Sequence, residues 1–220
     1  MVKSWLNAGH LICLLLAVSC GEKKDNFEWK EGDILFQDGD CGTFCDAIRK
    51  VTTAYEGRHF SHNGLLVKEN GEWMVMEAIT KGVSLTPLDT FLYRHVTPSG
   101  NPKVHVGRIR RRHQALIPEA IEQGKQLLGK PYDMAFDMEN DAFYCAELIH
   151  LIFKEANGGK GIFKTPPMTF KDPETGQLFP AWKEHFKNLS LPVPEGKPGL
   201  NPGGMTREPV IEMVLNLENP

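Results

Sequence analysis

Neither sign of charge is in excess: 25 Lys and Arg stand against 28 Asp and Glu, a formal net charge of −3. That balance gives nucleic acid no claim as the main partner, which would call for a basic stripe or face. The one basic cluster, Arg108-Ile109-Arg110-Arg111-Arg112, reads as a strand running into a solvated loop, with a polyanion or membrane-surface patch as the competing reading. No internal repeat is present, and no apolar run reaches the roughly 20 residues that span a bilayer. Cysteine is scarce and odd in number, five in all. What remains is ordinary: 220 residues with 41% hydrophobic and 24% charged suit one globular domain with a sizeable core, plus tails.

The first residues carry more information. Lys3 precedes a short apolar stretch, Leu11-Ile12-Cys13-Leu14-Leu15-Leu16-Ala17-Val18, followed by small residues. A basic start, a short apolar core and small residues predict a secretory signal over residues 1–19. Its end, Ala17-Val18-Ser19-Cys20-Gly21, resembles the lipobox of bacterial lipoproteins, which implies cleavage before Cys20 and lipid attachment there. An ordinary signal peptide with a coincidental cysteine is the alternative. On the lipoprotein reading, residues 20–28 are a polar tether, 29–190 the folded domain, and 191–220 a Pro/Gly-rich wrapping arm. The mature chain would then be exported to the bacterial cell envelope and held on a membrane by acyl chains, the outer one where there are two.

Cys13 leaves with the signal and Cys20 is taken by lipid. Cys41 and Cys45 are the only sequence-local pair in a compartment that permits disulfides, which leaves Cys145 as the free thiol. Periodicity predicts a short buried strand over 31–37, a helix from Cys45 to Tyr55, and a helix over 118–128 stopped by Gly129. A further helix is expected to be capped by Asn140 or Asp141 and to run to about Ala156. Residues 209–214 are expected to add an edge strand. Antiparallel strands with helices to one side predict an α+β fold.

Between them lies a hairpin. The runs 61–67 and 72–79 flank Asn70-Gly71, a strong two-residue turn. With that loop Glu69 faces Glu72 and Gly64 faces Glu77, so His62 lies diagonally beside Glu77 on the same face, with no side chain at Gly64 to separate them. Such diagonal neighbours have Cβ atoms roughly 7–8 Å apart. A slip of one residue would put the two on opposite faces.

Cys145 falls near the start of its helix, where unpaired N–H groups and the positive dipole end favour a thiolate. Leu148, Ile149 and Ile152 follow at i+3, i+4 and i+7, so an inert core cysteine fits the spacing as well. Likewise His62 could be a satisfied structural histidine and Glu77 a hairpin-face charge. A thiol, an imidazole and a carboxylate are the parts of a cysteine nucleophile with its base and its orienting group. Two rival sites compete: a papain-order pair of Cys45 with His185, and a zinc site from Cys41, Cys45, His59 and His62.

Six segments in order resemble the permuted papain-fold amidases of the NlpC superfamily, YaeF/YiiX type: Gly32–Gln37, Phe60–Gly64, Met76–Ala78, Thr86–Leu88, Leu128–Asp133 and Tyr144–Leu148. The resemblance covers about residues 30–155. It implies a permuted papain-like fold, in which the histidine strand precedes the cysteine helix. It also implies Cys145 as nucleophile, His62 as base, Glu77 as orienting acid and Tyr144 as a contributor to the oxyanion pocket. Ala146 departs from the family's usual serine, which removes a local hydrogen bond but not the nucleophile. Cys41 and Cys45 fall outside the family pattern. The expected function is cleavage of amide bonds in cell-wall peptides or N-acyl amino-acid amides, with no metal or organic cofactor. A non-catalytic envelope lipoprotein that binds a peptide or acyl ligand in the same cleft is the alternative.

Overall fold

The computed structural model describes residues 27–219, so the expected signal, Cys20 and most of the tether lie outside the described residues. Six strands form one antiparallel sheet in the order β4-β3-β2-β1-β5-β6: β1 Ile34–Gln37, β2 His62–Glu69, β3 Glu72–Ile79, β4 Gly82–Pro87, β5 Val104–Ile109 and β6 Ile211–Asn216. Asn70 and Gly71 both take positive φ, 52° and 88°, as the tight hairpin turn requires. Glu69 therefore faces Glu72 and Leu65 faces Met76, the expected register.

Apolar residues run continuously along the central strands, as in Ile34-Leu35-Phe36 and Leu65-Leu66-Val67, so both faces of the sheet must be covered. One face carries the main core, formed with α3 (Ile117–Gln126) and α4 (Cys145–Ala156) against Leu65, Val67, Met76 and Ala78. The other face packs Leu35, Leu66 and Val75 on α2 (Leu88–Tyr93) through Leu88, Phe91 and Leu92. The helices thus lie on two sides of the sheet rather than one, because its second face is also apolar. A third cluster joins α1 (Thr43–Lys50) to α5 (Pro180–Leu189) through Ala47, Trp182 and Phe186.

Two boundaries differ from expectation. The first helix ends at Lys50, before the β-branched run Val51-Thr52-Thr53, rather than at Tyr55. The cysteine helix is capped by Tyr144, not Asn140 or Asp141, because Asn140 bonds the nearby Ala142 N–H instead (2.7 Å). Cys145 is consequently the first helical residue. Beyond Leu189 the chain returns to the core through Leu200, Met205, Val210 and Ile211, with α6 at Pro202–Met205. The basic cluster ends β5. There Arg108 grips Asp33 with two bonds of 2.7 and 2.8 Å, and Arg110 pairs with Glu212 at the surface.

Candidate active site

Strand alternation puts His62 and Glu77 on the α2 face of the sheet, together with Thr86 and Gln37. His62 Nε2 lies 2.6 Å from Glu77 Oε2. Gly64 is what permits the approach: a Cβ there would stand 2.4 Å from Val75 Cγ1 and 3.2 Å from Glu77 Cβ. Cys145 stands close enough to the same imidazole to act on its charge, and with Nε2 turned to Glu77 the ring nitrogen left to face the thiol is Nδ1. The structure therefore brings together all three side chains singled out from sequence. Cys145 is only 6% exposed and is the one free cysteine among the described residues.

Glu77 is fully buried, and four donor contacts converge on its two oxygens. Oε1 accepts from Thr86 Oγ1 (2.6 Å) and Arg94 Nη1 (3.0 Å), while Oε2 faces His62 and accepts from Arg94 Nη2 (2.8 Å). Burial alone would raise this carboxyl, but the bonds and charges of His62 and Arg94 outweigh it and hold it at about 2. Arg94 is fixed in turn by Gln37, whose Oε1 accepts from Arg94 Nε (2.6 Å) and whose Nε2 donates to the Phe91 carbonyl (2.7 Å). The guanidinium also lies over the Phe91 ring at 4.3 Å. A continuous chain runs from the end of α2 through Gln37, Arg94 and Glu77 to the imidazole.

Sequence reasoning missed Arg94, Thr86 and Gln37. Extending the hairpin register by one strand would have found Thr86, and a glutamine closing an otherwise apolar strand was a signal for Gln37. Arg94 had none, since only the packing of α2 delivers it.

For His62, burial favours the neutral ring, yet the neighbouring Cys145 and the bonded Glu77 prevail and lift its pKa to about 9. The ring is therefore an imidazolium at neutral pH, ready to give a proton to a leaving group. Hydrolysis of an amide is expected to fall about tenfold per pH unit above about 9, as that proton is lost. Alkylation of Cys145 by iodoacetamide, which needs no proton donor, should not fall there; a common decline would refute this assignment. The same raised pKa is a stabilising contribution, complete below the ordinary value of 6.5 and lost as pH rises through about 9.

At the helix start, Glu147 accepts the Tyr144 N–H (3.3 Å) and is only 2% exposed. Burial, with Asp133 and Asp137 nearby, pushes its carboxyl up to about 8, so the helix start carries a largely neutral carboxyl at neutral pH. The Tyr144 hydroxyl accepts from the Leu200 N–H at 3.1 Å, and its ring lines the same hollow as Cys145. The Cys145 N–H, at the first helical position, has no carbonyl one turn back to accept it.

Two hollows meet at the Cys145–His62 pair. An apolar lobe of about 220 Å³ holds Cys145 among Val51, Phe136, Met168, Phe170 and Leu200. A second, larger lobe of about 490 Å³ carries the ionisable groups and is the polar lobe in that sense, holding His62 with Asp40, Arg94, His95 and His185, although its open surface is as largely apolar as that of the first. Ile48, Ser61 and Tyr132 line both. Tyr132 stands close enough to Cys145 for their charges to interact, and its burial raises the phenol well above its ordinary range.

The rival sites fail on connectivity. Cys45 is bonded to Cys41 and is no nucleophile, and His185 Nε2 is engaged by the Met134 carbonyl (2.7 Å). The same disulfide removes two of the four donors of the zinc reading, and no group of three or more His, Cys, Asp or Glu among the described residues gathers to hold a metal.

Residues 28–215 match the family model of the permuted papain-like amidase enzymes, YaeF/YiiX, C92 family. The uncharacterized protein YiiX of Escherichia coli K12 is 31% identical over 138 residues, which is 60% of this chain and 62% of that protein's length. The chain thus matches a little under two thirds of that relative. The crystal structure of metalloprotein yiiX from Escherichia coli O157:H7 shares the fold with a TM-score of 0.66 at 24% identity, over 85% of this chain and 97% of that one. With the sheet, its covering helices and the match over nearly the whole described length in agreement, the chain belongs to the permuted papain-like amidase family of the YaeF/YiiX type.

Proposed function

We propose that the chain is a lipid-anchored thiol hydrolase of the cell envelope that cleaves N-acyl amino-acid amides. Cys145 is the nucleophile, His62 the base and then the acid, and Glu77 the group that orients the imidazole. Cys145, its proton held by His62, attacks the acyl carbon. The free N–H at the helix start, with Tyr144 beside it, serves the developing oxyanion. His62 protonates the departing amine, and water activated by the same ring clears the thioester. Arg94 and Thr86 act through Glu77 as positioning residues.

The observation that carries this reading is the Cys145–His62–Glu77 array, with His62 bonded to Glu77 and facing Cys145, at the junction of two lobes that differ in their ionisable groups. Because His62 protonates the amine, the leaving group lies in the polar lobe on its side. The acyl group lies in the apolar lobe beside Cys145, which favours an acyl chain over a cell-wall peptide. The Cys41–Cys45 disulfide supports export, since such bonds persist in oxidising compartments. No helix among the described residues is long and apolar enough to cross a membrane; the lipid proposed at Cys20 would supply the anchor.

The test is mass spectrometry of envelope extract and of synthetic N-acyl amino acids after incubation with wild type and Cys145→Ala. Acyl release by wild type alone is expected. In a series of increasing chain length, kcat/KM should rise about fourfold per methylene until the lobe is filled, because each buried methylene contributes about 0.8 kcal/mol. Flat chain-length dependence with muropeptide cleavage would move the substrate to the cell wall. No cleavage of either class would leave the non-catalytic binder.

A further inference from the structure

The disulfide takes no part in the chemistry of the hydrolase reading, and it lies in the wall of the site. Cys41 and Cys45 both line the polar lobe, as does Phe44; Val51, just past α1, lines the apolar one, and Ile48 faces both. Helix α1 is thus a partition that both halves of a substrate would touch. By itself it is a weak element: eight residues, with Gly42 at its N-cap (φ 65°) and no side-chain cap. Helices so short do not hold in isolation.

Two ties replace the missing cap. The disulfide joins Cys41, before the cap, to Cys45 in the first turn. At the other end Arg49 bonds Asp38 Oδ1 (2.9 and 2.6 Å) and the Gly39 carbonyl (2.7 Å). Both ties end on the segment 38–41, which carries Asp40 into the polar lobe. A bridge across so short a loop constrains the unfolded chain little, so its main effect is local. None of these ties is bonded to Cys145, His62 or Glu77.

We propose that the Cys41–Cys45 disulfide is substrate-binding machinery: it fixes α1 as the wall common to both lobes, so breaking it weakens substrate binding and leaves the Cys145–His62 pair intact. The inference rests on the hydrolase reading for its kinetic form, but its binding form can be measured without turnover.

The experiment compares the oxidised wild-type chain with the Cys41→Ser/Cys45→Ser double variant and with Ile48→Ala, which keeps the disulfide. Three quantities are read: kcat and KM for an N-decanoyl amino acid, the rate of Cys145 alkylation by iodoacetamide, and the concentration of N-decanoylglycine that halves that rate. KM and the half-protecting concentration are expected to rise about tenfold in both variants, a loss of about 1.4 kcal/mol in binding. Alkylation without ligand, and kcat, should stay within about twofold of wild type.

Unchanged KM and unchanged half-protection would overturn the proposal, and so would a joint fall of kcat and alkylation, which would make α1 a prop for the whole site. If circular dichroism shows the double variant unfolded, KM of the wild-type chain before and after reduction of the disulfide by a phosphine decides in its place, an unchanged KM overturning the proposal. If wild type cleaves no amide, the hydrolase reading falls while half-protection still judges the wall. N-decanoylglycine that fails to protect wild type overturns the wall as well.

Discussion

Cys145→Ala is expected to lower kcat/KM for an amide substrate by at least about 10⁴-fold, with what survives coming from the binding lobes and oxyanion donors. No other side chain can take over, because the remaining cysteines of the described chain are joined in a disulfide. The loss should be purely chemical. The sulfur lines an existing hollow, so its removal leaves little new cavity, and the melting temperature should stay within about 3 °C of wild type. Cys145→Ser is expected to be nearly as inactive despite its shape, since a hydroxyl is a far weaker acid than a thiol and a poorer nucleophile with this base. Alanine should also lower the His62 pKa from about 9, because Cys145 is among the groups that lift it. Steady-state kinetics, thermal melts and titration of the His62 ring by nuclear magnetic resonance check the three parts. Appreciable turnover by Cys145→Ala would end the proposal that Cys145 is the nucleophile.

How much of this site could be read from the chain depends on how local each contact is. The His62–Glu77 contact was legible because Asn70-Gly71 fixes a two-residue turn, the turn fixes the register, and alternation then fixes the face. No comparable rule links Cys145 to that hairpin. Its helix packs on the sheet face opposite to the one that carries His62, and meets the imidazole only at the sheet's end. Spacing therefore left Cys145 as readable as a core residue, and only the ordered resemblance of short segments joined it to the hairpin. Arg94 was illegible for the same reason in stronger form, being delivered by a six-residue helix whose place is set by packing on Leu35, Leu66 and Val75. The cap was misplaced because Asn140 has a nearer backbone partner. Coverage of both sheet faces was implicit in the runs of consecutive apolar residues, a pattern that outweighs the expectation of helices on one side.

Glu77→Gln tests the buried end of the array and should be nearly as damaging as loss of the thiol. In many cysteine hydrolases of this type an amide suffices as the third member. Here it does not, because four donor contacts converge on the carboxylate, two at each oxygen. Whichever way a glutamine amide is turned, its NH₂ faces an Arg94 N–H and either Thr86 or His62. The substitution also leaves the Arg94 guanidinium, over Phe91 and bonded to Gln37, without its counter-charge. Breaking a buried pair on one side costs about 3–5 kcal/mol, so a fall in melting temperature of roughly 10 °C is expected. A fall in kcat/KM of about 10³-fold or more should accompany it, as the imidazole loses its orientation. The alkaline limb of kcat should move below about 9, because Glu77 is one of the two groups that hold His62 protonated. Acid stability gives an independent check. Glu77 titrates at about 2 in the fold, against an ordinary value of 4.5. It therefore stabilises the wild type fully above that ordinary value, and the contribution is lost as pH falls toward 2. In Glu77→Gln that portion of the acid transition should vanish. A variant that keeps wild-type kcat/KM, with its alkaline limb unmoved, would show that Glu77 only ties Arg94 to the sheet.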